Sequence, residues 1–427
     1  MKTKLIAAIV GLAAFASSAS VTISDVIVRQ QWPWNGKVNI DYVLSDPEEG
    51  EHDITVVMSN GLHVVTNEYG SLSGDIFGVK PGARRIVWDP SHNGATYSEK
   101  VMPNFSVTLS TPDDNSRKFM ILDLSGAYAA DAPIPVSFAS APPEGGWNTD
   151  EYKTTKMVLR RIPAGSFMMG SPTTEPDRDA NLETLHRVNL TKDFYVALFL
   201  CSQKQYRQIY GRIPYETDGG GASHAGYSVA SNDTKIVSFA SYSELRGMVD
   251  TSASSFPHCV APSFFKTLDA RAHASLPSEL SAYEFDMLSS SEWEYACRAG
   301  TSSAFYNGGD SNNVAGVIAF GANGWFGGIG KSGLFAPNNF GLYDMVGTVG
   351  HLVADRMPGS GAYWGEGELT DPLLWNPPAP KFIRRGGGWW WPLKAFRSAY
   401  CESAGGGISD ANQFHSSVRV ALVYRGE

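Results

Sequence analysis

Four cysteines, Cys201, Cys259, Cys297 and Cys401, are the residues of this chain best suited to redox or soft-metal chemistry. No two form a CxxC pair, which argues against a zinc ribbon or a thioredoxin-like dithiol. An even number of cysteines permits disulfides in an exported chain, and buried thiols acting as small apolar residues fit the sequence as well. His258 and Cys259 are adjacent, but neighbouring side chains point apart in most backbones. A nucleophile and its base must meet within hydrogen-bond reach, so the pair reads as structural. Glu292 and Glu294 read as helix-start charges rather than an acid/base pair. No GxSxG elbow, P-loop or HExxH occurs. The densest segment is Arg384-Arg385-Gly386-Gly387-Gly388-Trp389-Trp390-Trp391. Arg385, Trp389, Trp390 and Trp391 are the candidate ligand-binding residues, because flat aromatics beside arginine suit stacking on sugar rings or clamping of a peptide. Tryptophans filling the core of a loop-rich domain fit equally.

The elements that would position these residues fall into two parts. Residues 1–20 have the form of a secretory leader: Lys2 and Lys4, an apolar run, then Ser17, Ser18, Ala19 and Ser20. The run is too short to span a bilayer, and no other stretch is long and apolar enough. The expected location is therefore outside the cytoplasm, in the periplasm, at the cell surface or secreted. Net charge is -9, and -11 without Lys2 and Lys4 (32 basic against 43 acidic). Such a chain gains nothing from counterion release, so nucleic acid is excluded as a partner. From 21 to 127 the pattern alternates at period two, as in Val38, Ile40, Tyr42 and Ile54, Val56, Met58, with turns at Asn35-Gly36, Asn60-Gly61 and Pro81-Gly82. This predicts an antiparallel β-sandwich. Residues 128–155, rich in Ala, Pro and Gly, read as a linker. From 156 to 427 short strands alternate with a few helices. The clearest starts at Ser289, with Glu292 completing a capping box. Others are expected at 202–210 and 242–248.

Motifs in the second part resemble, in order, those of the formylglycine-generating-enzyme/sulfatase-modifying-factor family. Ile162-Pro163-Ala164-Gly165-Ser166-Phe167-Met168-Met169-Gly170-Ser171 is similar to its opening strand pair. Phe194-Tyr195-Val196, Gln205-Tyr206 and Ile236-Val237-Ser238-Phe239 follow. Glu292-Trp293-Glu294-Tyr295-Ala296 matches intact. Pro337-Asn338-Asn339-Phe340-Gly341-Leu342-Tyr343-Asp344-Met345-Val346-Gly347, then Arg385-Gly386-Gly387-Gly388-Trp389, Arg397-Ser398-Ala399 and Arg419 close the series. The resemblance implies an α+β, C-type-lectin-like fold with little regular secondary structure. Pro81 to Asp89 resembles a strand of bacterial immunoglobulin-like modules, which implies that the preceding all-β sandwich is of that type.

The resemblance also implies what is missing. Family oxidases hold Cu(I) between two cysteines just after the glycine-rich strand, where soft thiolates suit the metal. The corresponding residues are Trp391 and Phe396, so copper and formylglycine chemistry are not expected. The family's calcium site maps onto Asp344, with Asn313 as a member of a second site. His351 replaces a glutamate there, which removes a hard oxygen ligand and leaves calcium open. The reading that follows is a secreted, non-catalytic bacterial binding protein whose partner is an extracellular glycan or peptide. An enzyme of altered chemistry and a structural component of a surface assembly are the alternatives. The sequence leaves the oligomeric state open.

Overall fold

The structure, a computed structural model, describes residues 20–31, 35–60, 64–92, 104–112, 115–126, 128–214, 233–238, 240–249, 256–308, 330–357, 367–375, 381–388, 391–403 and 416–426. Residues 1–19 of the expected leader lie outside them. The N-terminal part contains β1 (Thr22–Gln30), β2 (Val38–Ser45), β3 (Thr55–Ser59), β4 (Val64–Thr66), β5 (Leu72–Gly74), β6 (Gly82–Trp88) and β7 (Ser106–Ser110). They form two antiparallel sheets, in the orders β1-β2-β6-β5 and β4-β3-β7. The period-two pattern is the cause. Val38, Ile40, Tyr42, Ile54, Val56 and Met58 are buried in one apolar cluster, and their neighbours along each strand are less so. Trp88 stacks on Phe105 with ring centroids 5.0 Å apart.

The second part begins earlier than the composition suggests. β8 (Phe119–Asp123) and β9 (Val136–Ala139) precede β10 (Lys156–Ile162), β11 (Gly165–Met169), β12 (His186–Leu190) and β13 (Phe194–Ala197). Helices α1 (Gln203–Tyr210), α2 (Tyr242–Arg246) and α3 (Phe264–Ala272) follow, then β14 (Tyr283–Asp286) and α4 (Ser290–Arg298). The chain closes with β15 (Gly350–Met357), β16 (Glu368–Thr370), β17 (Lys381–Arg385), β18 (Cys401–Ser403), β19 (Ser416–Ser417) and β20 (Ala421–Tyr424). An antiparallel six-stranded sheet, β14-β20-β13-β10-β8-β9, is the spine. Two smaller sheets, β11-β12-β16 and β18-β17-β15-β19, flank it.

Two expectations are corrected here. Residues up to 127 were expected in the N-terminal unit, yet β8 pairs with β10 in the spine, because Met120 and Leu122 are apolar and fully buried there. The expected linker, 128–155, carries β9 on the outer side of β8 and buries Ile134 and Trp147. Proline and alanine in that segment conceal a short strand that needs only a few apolar residues.

Serine caps set the helix starts. Ser289 and Glu292 form the capping box of α4, and Ser202 with Gln205 forms that of α1. Ser263 caps α3, where Phe264, Phe265, Leu268 and Ala272 share the buried face.

The two parts share one apolar core, which runs from Ile40 and Trp88 to Phe167 and Tyr295. The connection between β4 and β5 makes the joint. Asn67 Nδ2 donates to the Ala164 carbonyl at 3.1 Å, and the Asn67 carbonyl accepts from Ser166 N–H at 3.2 Å. Buried Glu68 pairs with Arg187, and Tyr69 packs 5.9 Å from Tyr295 between ring centroids. Asp53 answers two cations from the second part, Arg160 and, at 3.1 Å, Lys118.

Candidate functional site

The glycine-rich segment begins as β17, with β18 antiparallel beside it. Arg385 faces Cys401 and Arg384 faces Glu402. Alternation sends the first pair inward and leaves the second on the opposite face, where the Arg384 and Glu402 side chains are 11% and 24% exposed. Arg385 is 1% exposed. Its guanidinium bonds Glu294 at 3.1 Å, Ser290 Oγ at 2.8 and 2.9 Å, and the carbonyls of Ser398, Ala399 and Tyr400. The expectation that Arg385 meets a ligand is therefore corrected: all its donors are held inside the domain. Glu294 is corrected with it. This residue is fully buried, accepting from Arg298 at 2.9 Å and from Gly170 N–H at 2.9 Å, so it is a core anchor and not a helix-start charge.

The outward row makes the rim. Arg384 Nε donates to Glu402 Oε1 at 3.0 Å, and its guanidinium lies 4.9 Å from the Trp391 ring centroid. Tyr400 meets Trp391 edge-on at 6.5 Å, and its hydroxyl donates to Glu402 Oε2 at 3.4 Å. Burial pushes the Glu402 carboxyl above its usual range against the pull of Arg384. Trp391 is half-buried, packed against the core on its inner side. Trp389 and Trp390 lie outside the described residues. Arg384, Tyr400 and Glu402 were missed from sequence. Alternation along a strand places one of Arg384 and Arg385 inward and the other outward, but it does not say which.

Below the rim the chain turns through Gly386 and Gly387, with φ of +82° and +66°. A Cβ on Gly387 would lie 2.8 Å from the Phe396 ring, so glycine is required where this fully buried phenylalanine presses on the backbone. Next to Phe396, Arg397 binds Glu183 through both Nη atoms at 2.6 Å and Glu175 at 2.7 Å. Ser171 Oγ donates to Glu183 at 2.7 Å. Burial alone would raise the Glu183 pKa, but the Arg397 guanidinium and the Ser171 hydroxyl outweigh it and hold the carboxyl below its usual range.

The donor set does not fit copper. Trp391 and Phe396, which stand at the two positions the resemblance implies, carry no sulfur. Cys401, on the inner face, has its thiol pushed up to about 12 by burial, and so does Cys297 on α4. All four cysteines are free and buried. His258 and Cys259 part as expected, His258 to Glu284 at 2.9 Å and Cys259 toward Asp286 at 3.5 Å.

Nor, among the described residues, does the set around Asp344 fit calcium. Its carboxylate accepts from Ser332 Oγ and from Gly333 N–H at 2.6 Å, while Arg419 donates to its carbonyl at 3.1 Å. Arg419 and Lys153 supply positive charge beside this one carboxylate. His351 Nδ1 accepts the Trp293 indole N–H at 2.8 Å, and burial drives its pKa well below the usual value, so a neutral imidazole stands in place of a carboxylate. Calcium needs six or more oxygens with compensating negative charge. Asn313 lies outside the described residues.

Among the solved structures that resemble the chain are the following two. One is variable protein 1 of Treponema denticola, 15% identical, covering 64% of this chain and 96% of its own, with a TM-score of 0.45. The other is PvdO from Pseudomonas aeruginosa, 23% identical, covering 62% of this chain and 94% of its own, also with a TM-score of 0.45. No curated protein sequence matches. The family model described as the sulfatase-modifying factor enzyme 1-like domain matches residues 146–421, well over half of the chain. With its ordered motifs and sheet-rich, helix-poor architecture, this chain belongs to the sulfatase-modifying factor family.

Proposed function

We propose that this protein is an exported, non-catalytic member of its family that binds an extracellular glycan or peptide. The observation that carries the reading is the occupancy of both expected metal-ligand positions by carbon, Trp391 half-buried and Phe396 wedged against Gly387. The rim of Trp391, Tyr400, Arg384 and Glu402 is the binding surface. Glu402 neutralises Arg384, so the rim offers an aromatic edge with hydrogen-bonding groups instead of a net cationic receptor. That combination suits a hydroxyl-rich ring or a peptide backbone over a strongly anionic ligand. The N-terminal two-sheet unit serves as an immunoglobulin-like spacer. No helix among the described residues is long and apolar enough to cross a membrane.

The test has two arms. Purified protein is incubated with Cu(I), oxygen and a sulfatase-type cysteine peptide, and the peptide is followed by mass spectrometry. Absence of conversion and of stoichiometric copper is expected; formylglycine in the product overturns the proposal. In parallel, neutral glycans and peptides are screened for binding that Trp391→Ala abolishes while the melting temperature holds.

A further inference from the structure

β1 is the outer strand of its sheet, and it breaks the pattern that organises the rest of the N-terminal unit. β2 alternates between buried and half-buried residues, but almost every residue of β1 is exposed. Val26, Ile27 and Val28 are 38%, 45% and 39% exposed. Val28 stands in the row of Ile40 and Ile86, both fully buried, so it faces the inner side where an apolar cover is expected. On the outer side Ile27 lies in the row of Asp41 and Arg85. Asp41 is held by two arginines, Arg29 and Arg85, each at 2.5 Å and each more than half exposed. This row therefore reaches the open edge with an excess of positive charge. Asp25, on the same strand, is exposed, and its carboxylate accepts only the adjacent Ser24 hydroxyl among described contacts.

We propose that β1 is a self-association edge that pairs antiparallel with β1 of a second copy about a two-fold axis at Ile27. That register follows from charge and from shape. It sets Val26 opposite Val28 of the second copy, and the reverse, closing the apolar gap. It brings Asp25, in the bulge that ends the regular ladder, to the end where Arg29 of the second copy lies, so each positive row meets a carboxylate. Antiparallel pairing of an open edge needs no side-chain rearrangement, because its N–H and C=O groups already point outward. The bulge at Asp25–Val26, where the register with β2 shifts and Asp25 takes φ +52°, limits the contact to a short stretch. One strand pair buries less than the roughly 1,200 Å² of a stable interface, so the association is weak and strengthens at high local concentration. This inference stands apart from the ligand-binding rim.

The experiment is a cysteine scan in the full chain, in which the four native thiols are buried. Ile27→Cys, Ser24→Cys and Gln30→Cys are each oxidised at about 100 µM, a concentration at which weak pairs are populated. Residues on the two-fold face each other with Cα atoms about 5 Å apart, within disulfide range. Disulfide-linked dimer is expected at least about tenfold faster for Ile27→Cys than for the other two, since pairing raises the effective concentration of the two thiols. Adding Val28→Lys is expected to remove that advantage. Equal rates at all three positions, a maximum at Ser24 or Gln30, or a rate indifferent to Val28→Lys overturns the proposal. Efficient capture of a foreign extended peptide by β1, without a dimer, overturns it in favour of a heterologous strand.

Discussion

Replacing Arg397 with methionine removes one charge from a cluster that has no access to water. Arg397, Glu183 and Glu175 have side chains 3%, 0% and 6% exposed. The guanidinium makes three bonds of 2.6 to 2.7 Å to carboxylate oxygens and a fourth, of 2.8 Å, to the Asp177 carbonyl. Methionine keeps most of the volume, so little of the loss comes from a cavity. What remains is a pair of buried carboxylates without their cation, and breaking such a pair costs about 3–5 kcal/mol. The pH dependence separates charge from packing. In the native protein the Glu183 pKa lies below its usual value, so its contribution is present above the unfolded value and fades as pH falls through the folded one. In Arg397→Met burial is opposed only by the Ser171 hydroxyl and a backbone hydrogen bond, and the carboxyl takes up a proton more readily. The deficit against the native protein is therefore expected to be full at pH 7 and to shrink on acidification toward pH 5. Urea unfolding of both proteins at the two pH values measures it. A deficit under about 1 kcal/mol at pH 7, or one that does not change with pH, rules out a charge origin for the loss.

Gly387→Ala forces a side chain into φ +66° and against the Phe396 ring and the Ala395 carbonyl, 2.8 and 2.9 Å away. A loss of about 2–4 kcal/mol is expected, whereas Gly145→Ala, at φ +87° with nothing within 4 Å, should cost only about 1 kcal/mol; thermal melts compare the two. Asp355, buried between the backbone N–H groups of Ser290 and Leu374, has its carboxyl pushed up to about 6 by desolvation. Its folded value is raised, so its contribution is complete below the unfolded value and is lost as pH rises to about 6, a difference of about 3 kcal/mol. Asp355→Asn should flatten the stability profile between pH 4 and 6, and an unchanged slope there would contradict the assignment. Trp391→Ala should abolish ligand capture with a small change in melting temperature, because the indole is only half-buried.

Much of the fold was legible because it rests on local rules. The alternation around Ile40 and Val56 marked strands, and Ser289 with Glu292 marked the start of α4. β9 was hidden, since Val136 and Phe138 sit among prolines and alanines, and their pairing with β8 is settled by a partner distant from any local signal. α3 was missed although Ser263 caps it, because Lys266 stands where a capping box would place Glu or Gln. At the site, the sequence offers Trp391 and Phe396, neither of them a soft ligand, where the resemblance implies cysteines. The rim could not be read from it, because whether Arg384 or Arg385 faces outward depends on which face of β17 the buried Glu294 occupies. A carboxylate on α4 thus decides the exposure of a residue about ninety positions later.

The unit of homology and the unit of folding do not coincide in this chain. The family match starts at residue 146, but the spine of the domain continues through β8 and β9 back to Phe119. A chain trimmed to the match would strip β10 of its neighbour and present a naked hydrogen-bonding ladder to every other copy in solution, which is a route to precipitation. Trimming at 119 spares the ladder but uncovers Phe167 and Tyr295, on which Tyr69 rests. Inheritance can shuffle this domain only together with a surface that covers those rings. The β module in front of it is therefore a lid on the family fold as much as an arm that extends it.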